Sequence, residues 1–183
     1  MSDWREIEGV ARWALERAHV GVGEVVDLLE VAAANRVRVI PTPGRSYSAG
    51  DVVWLRSRAV GTAARWQLAH ELGHVFAARG GLDRSCERTA SAIGAALLLP
   101  DRTLKRELDA HAWDLEPIIE RHGVTWMIAV RRVTEVVSAY GTVVDARGRV
   151  RWSGRSPWLW AVPARGEVIS SGAWPVELSG LDS

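Results

Sequence analysis

Residues 70–74 read His70-Glu71-Leu72-Gly73-His74, an H-E-x-x-H pentapeptide. On a helix, residues i and i+4 share one face, so both imidazoles can reach a single ion. Imidazole nitrogens at ~2.0–2.1 Å suit Zn2+. Glu71 stands beside them and can take a proton from a water that the metal activates. A catalytic zinc needs three protein ligands and an open fourth position, so a third donor must come from elsewhere. A metzincin would carry Gly and then His in the next two turns; Ala77 and Gly80 stand at those places, which excludes that class. Glu87 follows across the Gly80-Gly81-Leu82-Asp83 turn, a spacing that lets the next helix fold back and offer its first turn to the metal. Asp83, Glu107 and His111 are the rival donors. Asp83 lies in the turn itself, and His111 lies beyond Pro100.

These residues need a helix to carry them and a second helix to answer it. The pattern predicts the first from Thr62, read as its cap, to about Arg79, with Gly80-Gly81 as the stop. The second runs from about Cys86 to Leu99 and ends at Pro100. Upstream, apolar residues at helical spacing predict helices over 3–18 and 23–35. Val37 to Ile40 alternates as a strand ending at Pro41, residues 41–50 are turn-rich, and Asp51 to Arg56 is a second strand. The Val52–Arg56 strand is expected to be an edge to which an extended substrate could add. Downstream, residues 101–112 are helical. Asp114 caps a short helix through Pro117 that Gly123 breaks, and Thr125 opens another with Trp126, Val130, Val133, Val137 and Tyr140 on one face. From Gly141 the pattern changes to short strands at 142–145, 150–152, 158–162 and 168–170. The expected organisation is 1–140 as one domain and 141–183 as a small β-rich segment.

Composition narrows the function classes. The chain has 183 residues, and its 23 basic and 22 acidic residues nearly cancel, which argues against a protein chiefly devoted to nucleic acid. One cysteine, Cys86, rules out an internal disulfide framework. The longest apolar stretch, Ala92 to Leu99, is far short of the ~20 residues that cross a bilayer. The N-terminus places Asp3, Glu6 and Glu8 where an export signal would be basic and then apolar, so a cytoplasmic location is expected. The 10 tryptophans against one phenylalanine make indoles the large packing anchors. Cys86 reads as a small hydrophobe at a helix start. Arg131 and Arg132 fall opposite Val130, Val133 and Val137, which predicts that both are exposed. Arg147, Arg149, Arg151 and Arg155 flank a hairpin, and Trp152, Trp158, Trp160 and Trp174 fit a small C-terminal core.

Two blocks, Arg65-Trp66-Gln67-Leu68-Ala69-His70-Glu71-Leu72-Gly73-His74 and Glu87-Arg88-Thr89-Ala90 continuing to Leu97-Leu98-Leu99-Pro100, resemble the ImmA/IrrE-type metallopeptidases in content, order and spacing. The likeness extends more weakly over about residues 24–140. It implies an α+β, zincin-like metallopeptidase core of helices with a small antiparallel sheet, followed by a helix-turn-helix-like helix pair. It implies that His70, His74 and Glu87 are zinc ligands and Glu71 the catalytic residue. Family members cut helix-turn-helix transcriptional repressors in mobile elements or stress responses, so the expected partner is such a repressor as a separate protein. Direct nucleic-acid binding and membrane association are not expected. Ser91 departs from the Asn or Asp usual four residues after the ligand glutamate; its hydroxyl can still accept a hydrogen bond from an imidazole N–H. Ile93 replaces the usual aromatic. The alternative reading is a non-enzymatic regulatory or DNA-binding protein with a structural or vestigial zinc site. For a second oxyanion donor, Tyr47, His111 and His122 are the candidates.

Overall fold

A computed structural model describes residues 4–137, 140–144, 147 and 149–155. By contact the chain divides into Met1–Thr125 and Trp126–Ser183, and each unit is described by itself. The division falls inside the 1–140 segment that the sequence pattern treats as one.

In the first unit, helix α1 (Trp4–Arg17) buries Ala11, Ala14 and Leu15. Helix α2 (Leu28–Ala34) is shorter than its sequence pattern. Asp27 caps it, accepting from the backbone N–H groups of Leu29 and Glu30, and the preceding Gly23 has φ +86°. The start of the helix is therefore set by a side-chain cap and a left-handed glycine rather than by apolar periodicity. Asn35, at its end, is buried and donates from Nδ2 to the carbonyls of Ala14 (2.8 Å) and Val31 (2.9 Å), tying α1 to α2.

A three-stranded sheet follows: β1 (Arg38–Thr42), β2 (Tyr47–Ala49) and β3 (Val52–Arg56). Its order is β1-β3-β2. β3 pairs β1 in parallel and β2 antiparallel, so the sheet is mixed, one pair differing from the antiparallel expectation. The α+β class stands. β3 is central and paired on both sides, which corrects its assignment as an edge; the free edges belong to β1 and β2. Pro41 lies within β1, acceptable because an edge strand can do without one ladder N–H. Val53 is buried on the inner face, while Ile40, Trp54 and Tyr47 align across the outer one. Tyr47 stacks on Trp54 with ring centroids 4.6 Å apart.

Helix α3 (Gly61–Arg79) is rich in Ala, Leu and other strong helix formers, and Gly80 caps its C-terminus. Its N-cap is Val60, with no side-chain bond, rather than Thr62. Gly61 enters the helix at φ +57°, so the chain turns by backbone freedom before a threonine cap could act. Helix α4 (Glu87–Leu98) returns against α3 in the most extensive helix pairing of the described residues. Small residues permit the approach. A Cβ on Gly73 would collide with the Ala90 carbonyl, and one on Gly94 would lie 2.8 Å from the Ala69 carbonyl oxygen. Both obstacles are backbone, which cannot rotate away. Gly73→Ala is therefore expected to force the two helices apart, costing about 1–3 kcal/mol. Thermal unfolding checks this; an unchanged midpoint would show that the helices yield freely.

Helices α5 (Asp101–Ala110) and α6 (Glu116–His122) complete the unit. Asp114 accepts from the backbone N–H of Glu116, and Gly123 ends α6 at φ +57°. His122 is fully buried, and burial pushes its imidazole below the ordinary histidine pKa, even though Glu107 lies nearby.

In the second unit, α7 (Trp126–Val136) packs with an antiparallel hairpin of β4 (Tyr140–Val144) and β5 (Val150–Arg155). Arg132 corrects an expectation. It is buried, and its guanidinium lies 2.9 Å from Glu135, which also holds Arg131 at 2.7 Å. Contact with both strands buries more of α7 than its single apolar stripe suggests, and Glu135 supplies the charge that lets arginine go inside. The expected strands at 158–162 and 168–170, and Trp158, Trp160 and Trp174, lie outside the described residues. No described helix is long and apolar enough to cross a membrane.

Candidate metal centre

The approach of α3 and α4 brings three side chains to one point. His70 and His74 lie one turn apart on α3, and Glu87 is the first residue of α4. The chain between them closes tightly. The Leu82 N–H bonds the Ala77 carbonyl at 2.8 Å, and Gly81 takes φ +73°. That sharp reversal sets the start of α4 opposite the histidines.

The distances among the donor atoms test whether a metal fits. The two Nε2 atoms are 3.2 Å apart. Glu87 Oε2 lies 3.0 Å from His70 Nε2, and Oε1 lies 3.5 Å from His74 Nε2. Tetrahedral ligands bonded at ~2.0–2.2 Å stand about 3.3–3.6 Å from one another. The set thus already has nearly the spacing of a zinc coordination shell. The protons agree. His74 Nδ1 is 2.7 Å from the Arg84 carbonyl oxygen, which can only accept, so Nδ1 carries the hydrogen and Nε2 keeps its lone pair. His70 Nδ1 has Ser91 Oγ at 3.1 Å, the contact that the sequence reading allowed for a serine at this position. The His74 Nε2 lone pair faces His70 Nε2 and the Glu87 carboxylate, a donor set whose residue types and spacing suit a divalent cation. Among the described residues this is the one group of His, Cys, Asp or Glu able to hold a metal ion.

The centre is open on one side. Glu87 has 77% of its side chain exposed, whereas the histidines are mostly covered. Trp66, one turn before, tilts against His70 with ring centroids 6.0 Å apart. Glu71 is only 8% exposed. No hydrogen bond or ion pair among the described residues holds its carboxylate.

The rival donors are engaged elsewhere. Asp83 accepts from the N–H (2.9 Å) and hydroxyl (2.6 Å) of Ser85. Glu107 and His111 pair with each other at 3.3 Å. None of the candidate oxyanion donors has a contact that brings it to the cluster: Tyr47 lies on Trp54, and His111 and His122 both neighbour Glu107. Cys86 is the N-cap of α4, and hydrogen bonding from Thr89 lowers its thiol pKa. Sequence reasoning missed the Arg84 carbonyl, since a backbone acceptor carries no signature of residue type.

Residues 33–134 match the model of a peptidase family described as the IrrE N-terminal-like domain. The chain belongs to this family. The match spans both motif blocks, with all three clustered donors and Glu71 inside it. A solved structure, a Mycobacterium tuberculosis transcriptional regulator, is similar in fold, with a TM-score of 0.60 at 16% identity. The likeness covers 83% of this chain and 55% of that one, so the chain spans little more than half the length of the regulator. No curated protein sequence matches the chain.

Proposed function

We propose that this member of the IrrE N-terminal-like peptidase family is a zinc-dependent endopeptidase in which His70, His74 and Glu87 hold the metal and Glu71 moves the proton. The observation that carries the reading is the convergence of three donor groups at 3.0–3.5 Å, with the His74 Nδ1 hydrogen directed away to the Arg84 carbonyl. Bound there, zinc supplies Lewis acidity, polarising the scissile carbonyl and lowering the pKa of water.

The chain's own residues do the rest. Glu71 takes a proton from the attacking water and passes it to the departing amine as the C–N bond breaks. Its burial strengthens its interaction with the reacting atoms. The Arg84 carbonyl and Ser91 hydroxyl fix the two imidazole planes. An extended substrate adds to β2, the free edge on the α3 side of the sheet. Ser46, just before β2, bonds Gln67 of α3 at 2.8 Å, and Ser48 and Gly50 line the same cavity as His74. Main-chain pairing at such an edge holds the peptide extended beside the metal.

The proposed substrate is a helix-turn-helix transcriptional repressor, on the strength of family resemblance. Co-expression with candidate repressors tests it. The expected result is a discrete truncated product that vanishes when the enzyme is treated with a chelator. If no repressor is cut and the protein instead binds operator DNA tightly, a non-enzymatic DNA-binding role replaces the peptidase reading.

A further inference from the structure

A second feature sits beside the metal cluster. A cavity of about 160 Å3 opens between β2, the far half of α3 and the loop before α4, with His74 in its wall. Ser48, Asp51, Arg79 and Arg84 bring the polar groups to it. Their charges are not equivalent. Arg79 donates from Nε (3.2 Å) and Nη2 (2.6 Å) to Asp51 Oδ1, and from Nη1 to the Asn35 carbonyl. That guanidinium is fully engaged, and the Asp51 charge is balanced by it. The Arg84 guanidinium, by contrast, has no hydrogen bond or ion pair among the described residues. Of the two arginines that line the cavity, Arg84 is thus the one whose side chain remains available to a ligand.

The position of Arg84 follows from the metal site itself. Its carbonyl accepts the His74 Nδ1 hydrogen at 2.7 Å, so the backbone that carries the free guanidinium is pinned to one of the proposed zinc ligands. A peptide lying along β2 would send alternate side chains toward and away from α3. One that points inward beside His74 would enter this cavity. A carboxylate there would meet an arginine able to bind it with two parallel hydrogen bonds.

We propose that this cavity is a substrate subsite selective for an acidic side chain close to the scissile bond, with Arg84 as its specificity-determining residue. The proposal rests on the zinc-peptidase reading and adds to it the class of sequence that is cut. It places an Asp or Glu of the substrate within one or two residues of the cleaved bond.

The test uses the zinc-loaded full chain and two series of peptidyl hydroxamates, with one variable side chain on either side of the hydroxamate. That side chain is Glu, Gln, Leu or Lys, and binding is measured by calorimetry. In one series the Glu compound is expected to bind about tenfold tighter than its Gln twin, the gain typical of a charge-assisted pair. The difference should shrink as NaCl is raised. Arg84→Gln should bring the Glu compound to the level of the Gln compound. Arg102→Gln, which removes the same charge at a distant exposed position, should leave the difference in place. Equal binding of Glu and Gln in both series, tightest binding of Lys, or an undiminished preference in Arg84→Gln would each overturn the subsite while leaving the metal site standing. If no compound of either series binds, Leu included, the zinc-peptidase reading itself fails and the subsite goes with it.

Discussion

Glu71→Gln is expected to keep the fold and one zinc per chain while cleavage of a genuine substrate falls by roughly 10²–10⁴-fold. Glu71 lies on the same helix as both histidines, yet the clustered donor atoms are those of His70, His74 and Glu87. Removing its charge therefore leaves the ligand set whole. Gln matches the shape of Glu closely, so the buried position loses no packing, and with no hydrogen-bond partner among the described residues Glu71 leaves none of them unpaired. What disappears is the ability to accept a proton from water. Elemental analysis, thermal unfolding and a time course of product formation read the three quantities separately. A variant that cuts as fast as the native chain would remove Glu71 from the mechanism. One that loses its zinc would show instead that the glutamate supports the metal.

Much of this arrangement was legible because it is local. The H-E-x-x-H spacing needs only a helix to become a pair of donors, and α3 runs from Gly61 to Arg79 close to the range its pattern predicts. The glycine stop and the following Cys86–Leu99 pattern place Glu87 at a helix start, where the chain reversal delivers it. Ser91 was readable only through the family resemblance, which marks the position four residues after the ligand glutamate; the helix then brings its hydroxyl to His70 Nδ1.

Features that depend on which elements meet were not legible. β2 is three residues long and sits in a stretch of Pro, Gly and Ser that reads as turn. No window of alternation could find it, and without it β3 looks like an edge. Sheet order is a tertiary fact, so the free edge beside the metal cluster emerges only once α3 and the strands are packed. Arg132 shows the same limit. Helical periodicity puts it opposite the valines, but the β4–β5 hairpin covers more of α7 than one stripe, and Glu135 neutralises the guanidinium. The cavity beside His74 combines a β2 residue, an α3 ion pair and a loop arginine, three separate stretches with no shared motif.

His74→Ala should have the most complete effect: zinc content falls to background, and cleavage falls at least as far as in Glu71→Gln. Two remaining donors, His70 and the exposed Glu87, cannot enclose a metal that prefers four ligands, and the lost imidazole also releases the Arg84 carbonyl. The structural cost is smaller. His74 is part of α3, and alanine is the strongest helix former, so the backbone should persist. The metal-free variant is compared with chelator-treated native chain, and their circular dichroism spectra should superimpose. Asp83→Ala provides the contrast, because Asp83 binds Ser85 rather than the cluster. That variant should retain stoichiometric zinc and cleavage, with only the loop before α4 loosened. Zinc retained in His74→Ala, or lost in Asp83→Ala, would move the metal away from the point where α3 and α4 converge. Loss in the first and retention in the second would locate it there by chemistry as well as by distance.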